Sequence, residues 1–482
     1  MSKNANERLS WGTKLGFGAG DIFGGGAMVI IGFFYLYFLT DVLLISPALA
    51  GVVFLISKMW DAVSDPIMGV ISDRTRTRFG RRRPYFLAGV VLVFLSFFMM
   101  WFPVDFDLES HRFIFVLVAY IFFSTSYTIV MIPYFALASE LTTDYNERTA
   151  LMSVRMIFSM ASSLLCAVLP LEIVKHFPEV RTGYIVMAVI FALLFSLPFL
   201  ATFFATKERP EFQKEPEPFN FKRTFIEPFK VPTFVHVLLM YLFSMATMDI
   251  VMSIMMYFMT YYIGRPGEAN FVAGALLITQ IFAIPGYAMI SRKIGKKRTY
   301  TIAAIWWLLT MIGSLLITPE NPNFVIYVFA CVVGLGSGGI VVMIYSILPD
   351  VPDVDELYSD RRREGIFSGL MTFLRKASSA LGIFIVSQII ALSGYIKPVE
   401  TLVDGKVVLE KQAQSPQFLT SLKVMFALIP ALFLVIAIIS AILYRLTPQV
   451  HDRLNAMLTA RRKGEAYDTN EEEDLKRILE GR

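Results

Sequence analysis

The chain has 482 residues, of which 56% are hydrophobic and only 17% are charged, and its mean hydropathy is +0.60. Soluble domains carry about 45–50% apolar and roughly 25% charged residues, so this composition excludes an ordinary soluble enzyme and a disordered chain. The two cysteines and four histidines exclude a disulfide framework and leave little room for metal or acid–base chemistry. We therefore expect neither an enzyme nor a bound cofactor.

Twelve runs in the sequence are apolar and long enough to cross a bilayer, which takes about 20 residues. Because hydrocarbon offers the backbone no hydrogen-bond partners, such runs form helices. The sequence therefore predicts an all-α polytopic membrane protein. The predicted spans are 17–41, 48–71, 85–103, 112–137, 152–173, 182–204, 233–262, 270–291, 298–317, 324–347, 367–394 and 419–446.

Lysine and arginine are unevenly distributed between the loops that join these runs. The loops on the side of the N-terminus hold most of them, including the basic segments 74–83 and 292–298, whereas the opposite loops hold few. Since cytoplasmic loops are enriched in Lys and Arg, we expect both termini in the cytoplasm and the protein in the cell inner membrane.

The two halves of the sequence repeat one another. Pro66–Ser72 leads to a basic loop that ends Gly80–Arg83, and Pro285–Ser291 leads in the same way to Gly295–Arg298. A duplicated unit of six spans is the arrangement of the major facilitator transporters, whose substrate site lies near the midplane between the halves. The predicted domains are a six-helix bundle at 1–204, a cytoplasmic linker at 205–232, a second six-helix bundle at 233–446 and a cytoplasmic tail at 447–482.

Three local patterns add detail to this plan. Asp404-Gly405 between β-branched residues predicts a small hairpin. The glycine-rich run 334–339 lacks the Lys-Ser/Thr of a phosphate-binding loop and predicts close helix packing. The polar tail predicts one short helix with a frayed end.

Two aspartates stand out in the second predicted span, because an ionisable residue at this depth costs about +2.5–3.5 kcal/mol. Asp61 and Asp65 are spaced by four residues and share one helical face, with Ser64 on a neighbouring flank. Two carboxylates this close repel each other unless a cation lies between them or one is protonated. We interpret the pair as a site for Na⁺ or H⁺; an ion pair with another span, acting as a structural lock, is the alternative.

Charged residues also cluster at the predicted inner mouth. Asp73 and the arginines from Arg74 to Arg83 are expected to form a gate, with plain cytoplasmic anchoring as the alternative. In the second half, the acidic run 350–360 precedes Arg361–Arg363 and Glu364. This run would close against Arg74–Arg83 and Arg148; a solvated loop is the alternative.

The segments DAVSDPIMGVISDRTRTRFGRRRPY (61–85) and IPYFALASELTTDYNERTALMSVR (132–155) resemble the glycoside–pentoside–hexuronide:cation symporters, the family of the melibiose permease. The resemblance runs through essentially all twelve spans. It implies the major facilitator fold and sodium-, lithium- or proton-coupled uptake of a sugar or glycoside by alternating access.

The resemblance also implies roles for individual residues. Asp61 and Asp65 fall on the family's paired cation carboxylates, Ser64 replaces an asparagine there, and Thr128 falls on a hydroxyl that helps to bind the cation. Lys376, with Thr372 one turn before it, matches a lysine near the cation site, so we expect Lys376 to balance the carboxylates when the cation is absent.

The family's two sugar-reading aspartates are absent, since their positions are occupied by Gly25 and Met131. Melibiose itself is therefore not the expected substrate. Other embedded polar and aromatic residues are candidates for substrate contact, and for each a purely structural role is the alternative: a helix-end carboxylate, a snorkelling arginine, aromatic packing or an interhelical hydrogen bond. The candidates are Asp21, Trp60, Tyr127, Phe135, Arg155, Asp249, Thr372 and Lys376.

The expected function is thus monomeric, cation-coupled symport of a small sugar or glycoside across a lipid bilayer, with no nucleic-acid partner. A uronide becomes the expected cargo if Arg155 and Lys376 both face the cavity. A cation-coupled carrier of lysolipids or other amphipaths on the same fold is the first alternative, because Gly25 and Met131 make the pocket less polar. A non-transporting membrane sensor is the second.

Overall fold

The computed structural model describes residues 8–142, 144–208, 226–359, 364–403, 406–463 and 469–480. Within these ranges it has twelve helices long and apolar enough to cross a membrane, which confirms the predicted all-α architecture. In chain order the helices are α1 (Trp11–Tyr35), α2 (Pro47–Arg74), α3 (Arg83–Met100), α4 (Glu109–Leu141), α5 (Asn146–Lys175), α6 (Val180–Ala205), α7 (Thr233–Tyr262), α8 (Pro266–Ile294), α9 (Lys296–Leu316), α10 (Asn323–Tyr358), α11 (Gly369–Leu392) and α12 (Pro416–Leu443).

Several helices extend beyond the runs predicted for them. Helix α4 adds polar residues at both ends of the predicted run 112–137, and α10 continues past residue 347 through a 3₁₀ turn into the acidic helix Val351–Ser359. Hydropathy detects only the apolar part of a helix, so the polar turns outside the hydrocarbon escape it.

Helix α1 and the residues that follow it contain π-helical turns that the sequence does not predict. The chain stays helical past Tyr35 as far as Val42, with π-helical turns at Ile31–Tyr35 and Phe38–Val42. Helix α7 ends in the same manner at Phe258–Tyr262. Such turns are rare and occur frequently at functional sites.

The loop between α11 and α12 and the tail contain the remaining elements. Strands β1 (Val399–Val403) and β2 (Lys406–Glu410) pair antiparallel, with Val403 opposite Lys406, which confirms the predicted hairpin; its turn, 404–405, lies outside the described residues. The tail forms two helices where one was expected, α13 (Pro448–Lys463) and α14 (Thr469–Glu480).

The chain packs into two compact units. The first is built from the described residues of 1–217, 252–274 and 383–421, and the second from those of 218–251, 275–382 and 422–482. Helices α7, α8, α11 and α12 therefore contribute residues to both units. The predicted bundles at 1–204 and 233–446 stay a prediction, and much of the predicted linker, 209–225, lies outside the described residues.

Each unit has a dense apolar core. In the first, Trp101 lies 5.1 Å from Tyr35 and from Phe38, measured between ring centroids. In the second, a Cβ on Gly334 would come within 2.4 Å of the Leu276 carbonyl oxygen, and one on Gly336 within 2.8 Å of the Trp307 side chain. Only glycine permits these approaches, which confirms that the run 334–339 serves close helix packing.

Candidate cation and substrate sites

The predicted cation residues of α2 and α4 lie together in the first unit. Asp61 is buried, with 4% of its surface exposed, and Asp65 follows one turn later on the same face. Thr128 of α4 donates a hydrogen bond to Asp65 Oδ1 at 2.6 Å. The Ser64 hydroxyl lies 3.4 Å from the Thr128 hydroxyl. Carboxylate and hydroxyl oxygens from two helices therefore meet at one point of the fold.

A residue that the sequence reasoning passed over also belongs to this group. Lys58 lies one turn before Asp61, and its Nζ is 3.3 Å from Asp61 Oδ2. The same ammonium lies 6.0 Å from the centroid of the Tyr120 ring. The three-residue spacing within one apolar run is the signal that would have found this pair.

Two of the substrate candidates, Asp21 of α1 and Arg155 of α5, form an ion pair. Arg155 Nε is 3.0 Å from Asp21 Oδ2, and the Asp21 side chain is almost fully buried. The guanidinium also lies over two rings of α4, 4.8 Å from the centroid of Phe135 and 5.8 Å from that of Tyr134. Arg155 is thus held between a carboxylate and aromatic faces rather than extended towards headgroups.

The packing of α1 explains the glycine at position 25. A Cβ there would lie 2.3 Å from the Ser159 hydroxyl and 2.7 Å from the Ser159 carbonyl oxygen of α5. No side chain fits without moving a helix. Met131 is buried as well, with 1% exposed, so neither position offers a polar group to a substrate.

The three aromatic candidates differ in their surroundings. Trp60 is 42% exposed and donates from its indole N–H to the Thr125 hydroxyl at 2.8 Å. Phe135 is exposed to a similar degree. Tyr127 packs against Phe23, with ring centroids 5.2 Å apart, so Trp60 and Phe135 are the two that present ring surface.

The remaining candidates belong to the second unit. Arg375 of α11 binds Asp249 of α7 through two hydrogen bonds of 2.6 and 2.9 Å, so the interhelical contact left open for Asp249 is present, and its contact with a substrate stays a prediction. Thr372 is exposed and Lys376 is half-buried. The expected proximity of Lys376 to Asp61 and Asp65 stays a prediction.

The sequence profile of the family described as MFS/sugar transport protein matches residues 16–448, which is most of the chain. The chain belongs to this family. It is therefore a multi-pass transporter of the major facilitator superfamily and not an enzyme.

Individual relatives agree with this assignment. The transporter is 28% identical to a putative glycoside/cation symporter of Escherichia coli, over 95% of this chain and 97% of the relative. It is 22% identical to a sodium-dependent lysophosphatidylcholine symporter of Gallus gallus, over 82% and 81%. Among solved structures, a bacterial homolog of the human lysosomal transporter Spinster, inward-facing and occupied, superposes with a TM-score of 0.65 at 12% identity, covering 91% of this chain and 97% of that one; at this identity the likeness shows the fold.

Charged residues at the ends of α2, α3 and α4 form an ion-pair network in the transporter. Arg82 pairs with Asp73 and lies 3.3 Å from Glu140, while Arg81 lies 2.6 Å from the same Glu140 carboxylate. Glu208 accepts hydrogen bonds from the backbone N–H groups of residues 81, 82 and 83 at 2.7–3.0 Å. Of the residues expected to form a gate, Asp73, Arg81 and Arg82 belong to this network.

The other gating candidates have different surroundings. Arg74 is exposed, and Arg148 is exposed and donates to the Ser139 carbonyl at 3.3 Å. Glu364 begins the helical turns that precede α11, but its side chain lies outside what the structure describes, as do residues 361–363. A gating role for these residues stays a prediction.

The acidic run that precedes α11 contacts the tail within the second unit. Asp350 pairs with Lys296 at 2.8 Å, and Glu356 pairs with Arg462 of α13. His451 of α13 lies 3.8 Å from Asp353. This run is therefore anchored to the tail rather than solvated.

Proposed function

We propose that the transporter is a symporter that couples the uptake of a sugar or glycoside to the entry of a monovalent cation, Na⁺ or H⁺. The observation that carries this proposal is the group formed by Asp61, Asp65, Ser64 and Thr128 inside a membrane-spanning bundle. The similarity to a relative named as a glycoside/cation symporter supports the same reading.

The charges of the site support a monovalent cation. Asp61 and Asp65 are two acidic groups on one helical face, and Lys58 lies beside the first of them. Burial of carboxylates is costly, and binding of Na⁺ or H⁺ lowers that cost. Na⁺, a hard cation, prefers the oxygen ligands that Asp65, Ser64 and Thr128 offer.

Pro66 adds a further oxygen on the same turn. Proline has no N–H and cannot donate to the carbonyl four residues earlier, which is that of Ala62. A carbonyl without its helical partner is available to a cation. Binding of the cation and of the substrate would then stabilise the same conformation, and each would raise the affinity for the other.

A neutral sugar fits the substrate candidates better than an anion does. Arg155 and Asp21 compensate each other's charge, while together they offer donors and acceptors for hydroxyl groups. The exposed rings of Trp60 and Phe135 suit the C–H face of a sugar. This arrangement supports a neutral glycoside over the uronide.

A lysolipid carrier is the second candidate. The apolar positions Gly25 and Met131 favour it, as does the similarity to a relative named for lysophosphatidylcholine. The buried Asp21–Arg155 pair argues against an acyl chain at that point, because an apolar chain would leave the pair's remaining polar atoms without partners.

We further propose that the transporter works as a monomer by alternating access in the bacterial inner membrane, with both termini in the cytoplasm. The excess of Lys and Arg in the loops on the side of the N-terminus supports this orientation.

Uptake into membrane vesicles tests the function. Labelled neutral glycosides, pentosides, uronides and lysophosphatidylcholine are offered with a Na⁺ gradient, a proton gradient or neither. We expect gradient-driven accumulation of a neutral sugar, lost in D61N and D65N but retained in the matched control D105N, whose carboxylate is exposed. Accumulation of the lysolipid alone, or unchanged accumulation in both α2 variants, would overturn the proposal.

A further inference from the structure

A buried carboxylate outside the sites described above lies at the end of the helical segment that begins with α1. Asp41 has 3% of its surface exposed and sits in the π-helical turn Phe38–Val42. Three hydroxyl groups donate to it. Tyr261 donates to Oδ1, Tyr395 donates to Oδ2 at 2.8 Å, and Thr40 donates to Oδ2 at 2.7 Å.

These donors come from three separate segments of the first unit. Tyr261 lies in the π-helical end of α7, and Tyr395 follows α11. Tyr257 of α7 adds a hydroxyl contact of 2.5 Å to Thr40, and its ring centroid lies 5.9 Å from that of Tyr395. Thr40, Asp41, Tyr257, Tyr261 and Tyr395 are called the tyrosine clasp below.

The clasp joins parts of the chain that are distant in sequence. Asp41 precedes the predicted linker 205–232, whereas α7 and α11 follow it. By the predicted topology, the clasp lies at the extracellular ends of these helices. Release of the Asp41 contacts would therefore free the outer ends of α7 and α11 from α1.

Hydroxyl groups, rather than the charged side chains around the clasp, bind Asp41. Lys411 lies 5.7 Å from the Tyr37 ring centroid; burial lowers the pKa of its ammonium, an effect that the attraction of Asp41 opposes. Lys397 forms an ion pair with Glu109 at 3.0 Å and donates a hydrogen bond to the Leu44 carbonyl. Tyr37 and Tyr184 are the other titratable groups near Asp41. Among the described residues, Asp41 forms no ion pair within 4 Å.

We propose that Asp41 is a proton-binding site, separate from the Asp61–Asp65 pair, and that its protonation opens the tyrosine clasp. As a carboxylate, Asp41 accepts three hydrogen bonds, and bonds to a charged acceptor are about twice as strong as neutral ones. A proton added to one oxygen gives a neutral acid, which occupies that oxygen and weakens the bonds to the other.

The proton comes from the aqueous phase and returns to it, while the tyrosine and threonine hydroxyls keep their own protons. A metal cation suits this site poorly, because the hydroxyl hydrogens point at the carboxylate and would have to turn away. The inference goes beyond the proposed symport, since it concerns which conformations the transporter adopts and holds for any cargo.

The test measures the accessibility of a buried position beside the clasp. Thr260 precedes Tyr261 and is 8% exposed. In the full-length protein in lipid nanodiscs, C166A and C331S remove the native thiols and T260C introduces one reporter. The rate of its reaction with a membrane-impermeant maleimide is divided by the rate for the detergent-unfolded protein at the same pH, which cancels the titration of the thiol.

We expect this normalised rate to rise about tenfold from mildly alkaline to mildly acidic buffer, since loss of one charged hydrogen bond corresponds to roughly that factor. D41N, which resembles the protonated acid, should react rapidly in both buffers. The double variant Y261F/Y395F, which keeps the carboxylate, should also react rapidly in both buffers. If D41N fails to fold, this double variant tests the proposal in its place. The control D105N should behave like the parent.

A parent rate that does not depend on pH, or a D41N or Y261F/Y395F protein that stays protected, would overturn the proposal. Because uptake is not measured, failure of the proposed symport would leave this result unaffected.

Discussion

Lys58 and Asp61 form an ion pair within one membrane-spanning helix, with 3.3 Å between Nζ and Oδ2 and with 13% and 5% of the two side chains exposed. The Lys58 ammonium therefore lies beside one of the two carboxylates that are proposed to bind the coupling cation. Lys58 thus lies where a counter-charge was expected of Lys376 from the sequence alone, and the role of Lys376 stays a prediction.

Replacement of Lys58 by methionine should strengthen cation binding. Two unit charges about 4 Å apart interact by roughly 4 kcal/mol at an effective dielectric constant of 20, and 1.4 kcal/mol is a tenfold change in affinity. We expect K58M to lower the half-saturating cation concentration for uptake by at least about tenfold, whereas K58R should stay near wild type. Equal half-saturation in wild type and K58M would contradict a competing role for the ammonium.

The features that the sequence predicted are those encoded locally. An apolar run of about 20 residues defines a span by itself, and the four-residue spacing of Asp61 and Asp65 defines a shared helical face. The pairing of Arg82 with Glu140 joins residues 58 positions apart and depends on how α3 and α4 pack. No local pattern predicts it, and the same holds for the Asp21–Arg155 pair.

Arg375 and Lys376 should differ in function although they are adjacent in sequence. R375A leaves the Asp249 carboxylate without its bidentate partner, and removal of one member of a buried pair costs about 3–5 kcal/mol. We expect R375A to lower thermal stability in detergent, and D249A/R375A to regain part of that loss. K376A should instead change the relative dependence of uptake on Na⁺ and H⁺. Identical effects of R375A and K376A on stability and ion dependence would refute this distinction.

Melibiose should be a poor substrate. The positions that carry the sugar-reading aspartates in the melibiose permease are a glycine with no room for a side chain and a buried methionine. Each missing hydrogen-bond partner costs about 1–3 kcal/mol, so competition by melibiose against a transported sugar should be weaker by at least about tenfold. G25D should fail to restore melibiose binding and should destabilise the bundle, because its Cβ would overlap Ser159. Saturable, high-affinity melibiose uptake by wild type would show that other groups read the sugar.

Glu140 should control the rigidity of the ion-pair network that it forms with Arg81 and Arg82. It accepts from Arg81 and Arg82, which are both buried, and E140Q removes the charge that compensates them. We expect faster hydrogen exchange in residues 72–83 of E140Q, while E320Q, which alters an exposed glutamate in the loop before α10, should leave exchange there unchanged. If E140Q exchanges like wild type in that segment, the network does not hold the loop.

The anchoring of α13 should weaken as the pH rises. The hydrogen bond that the His451 ring donates to Asp353 raises the pKa of His451 above its ordinary value of 6.5, Asp350 adds to this effect, and burial and Lys296 oppose it. The folded pKa lies above the unfolded one, so the stabilisation is fully present below pH 6.5 and is lost as the pH rises through the raised value. After correction for intrinsic rates, hydrogen exchange of Pro448–Lys463 should accelerate over that window in wild type and lose this pH dependence in H451Q.

Because Arg462 holds the same helix through Glu356 without titrating in this range, R462Q should weaken the anchoring at every pH yet keep its pH dependence. A pH dependence that survives in H451Q would assign the effect to another group.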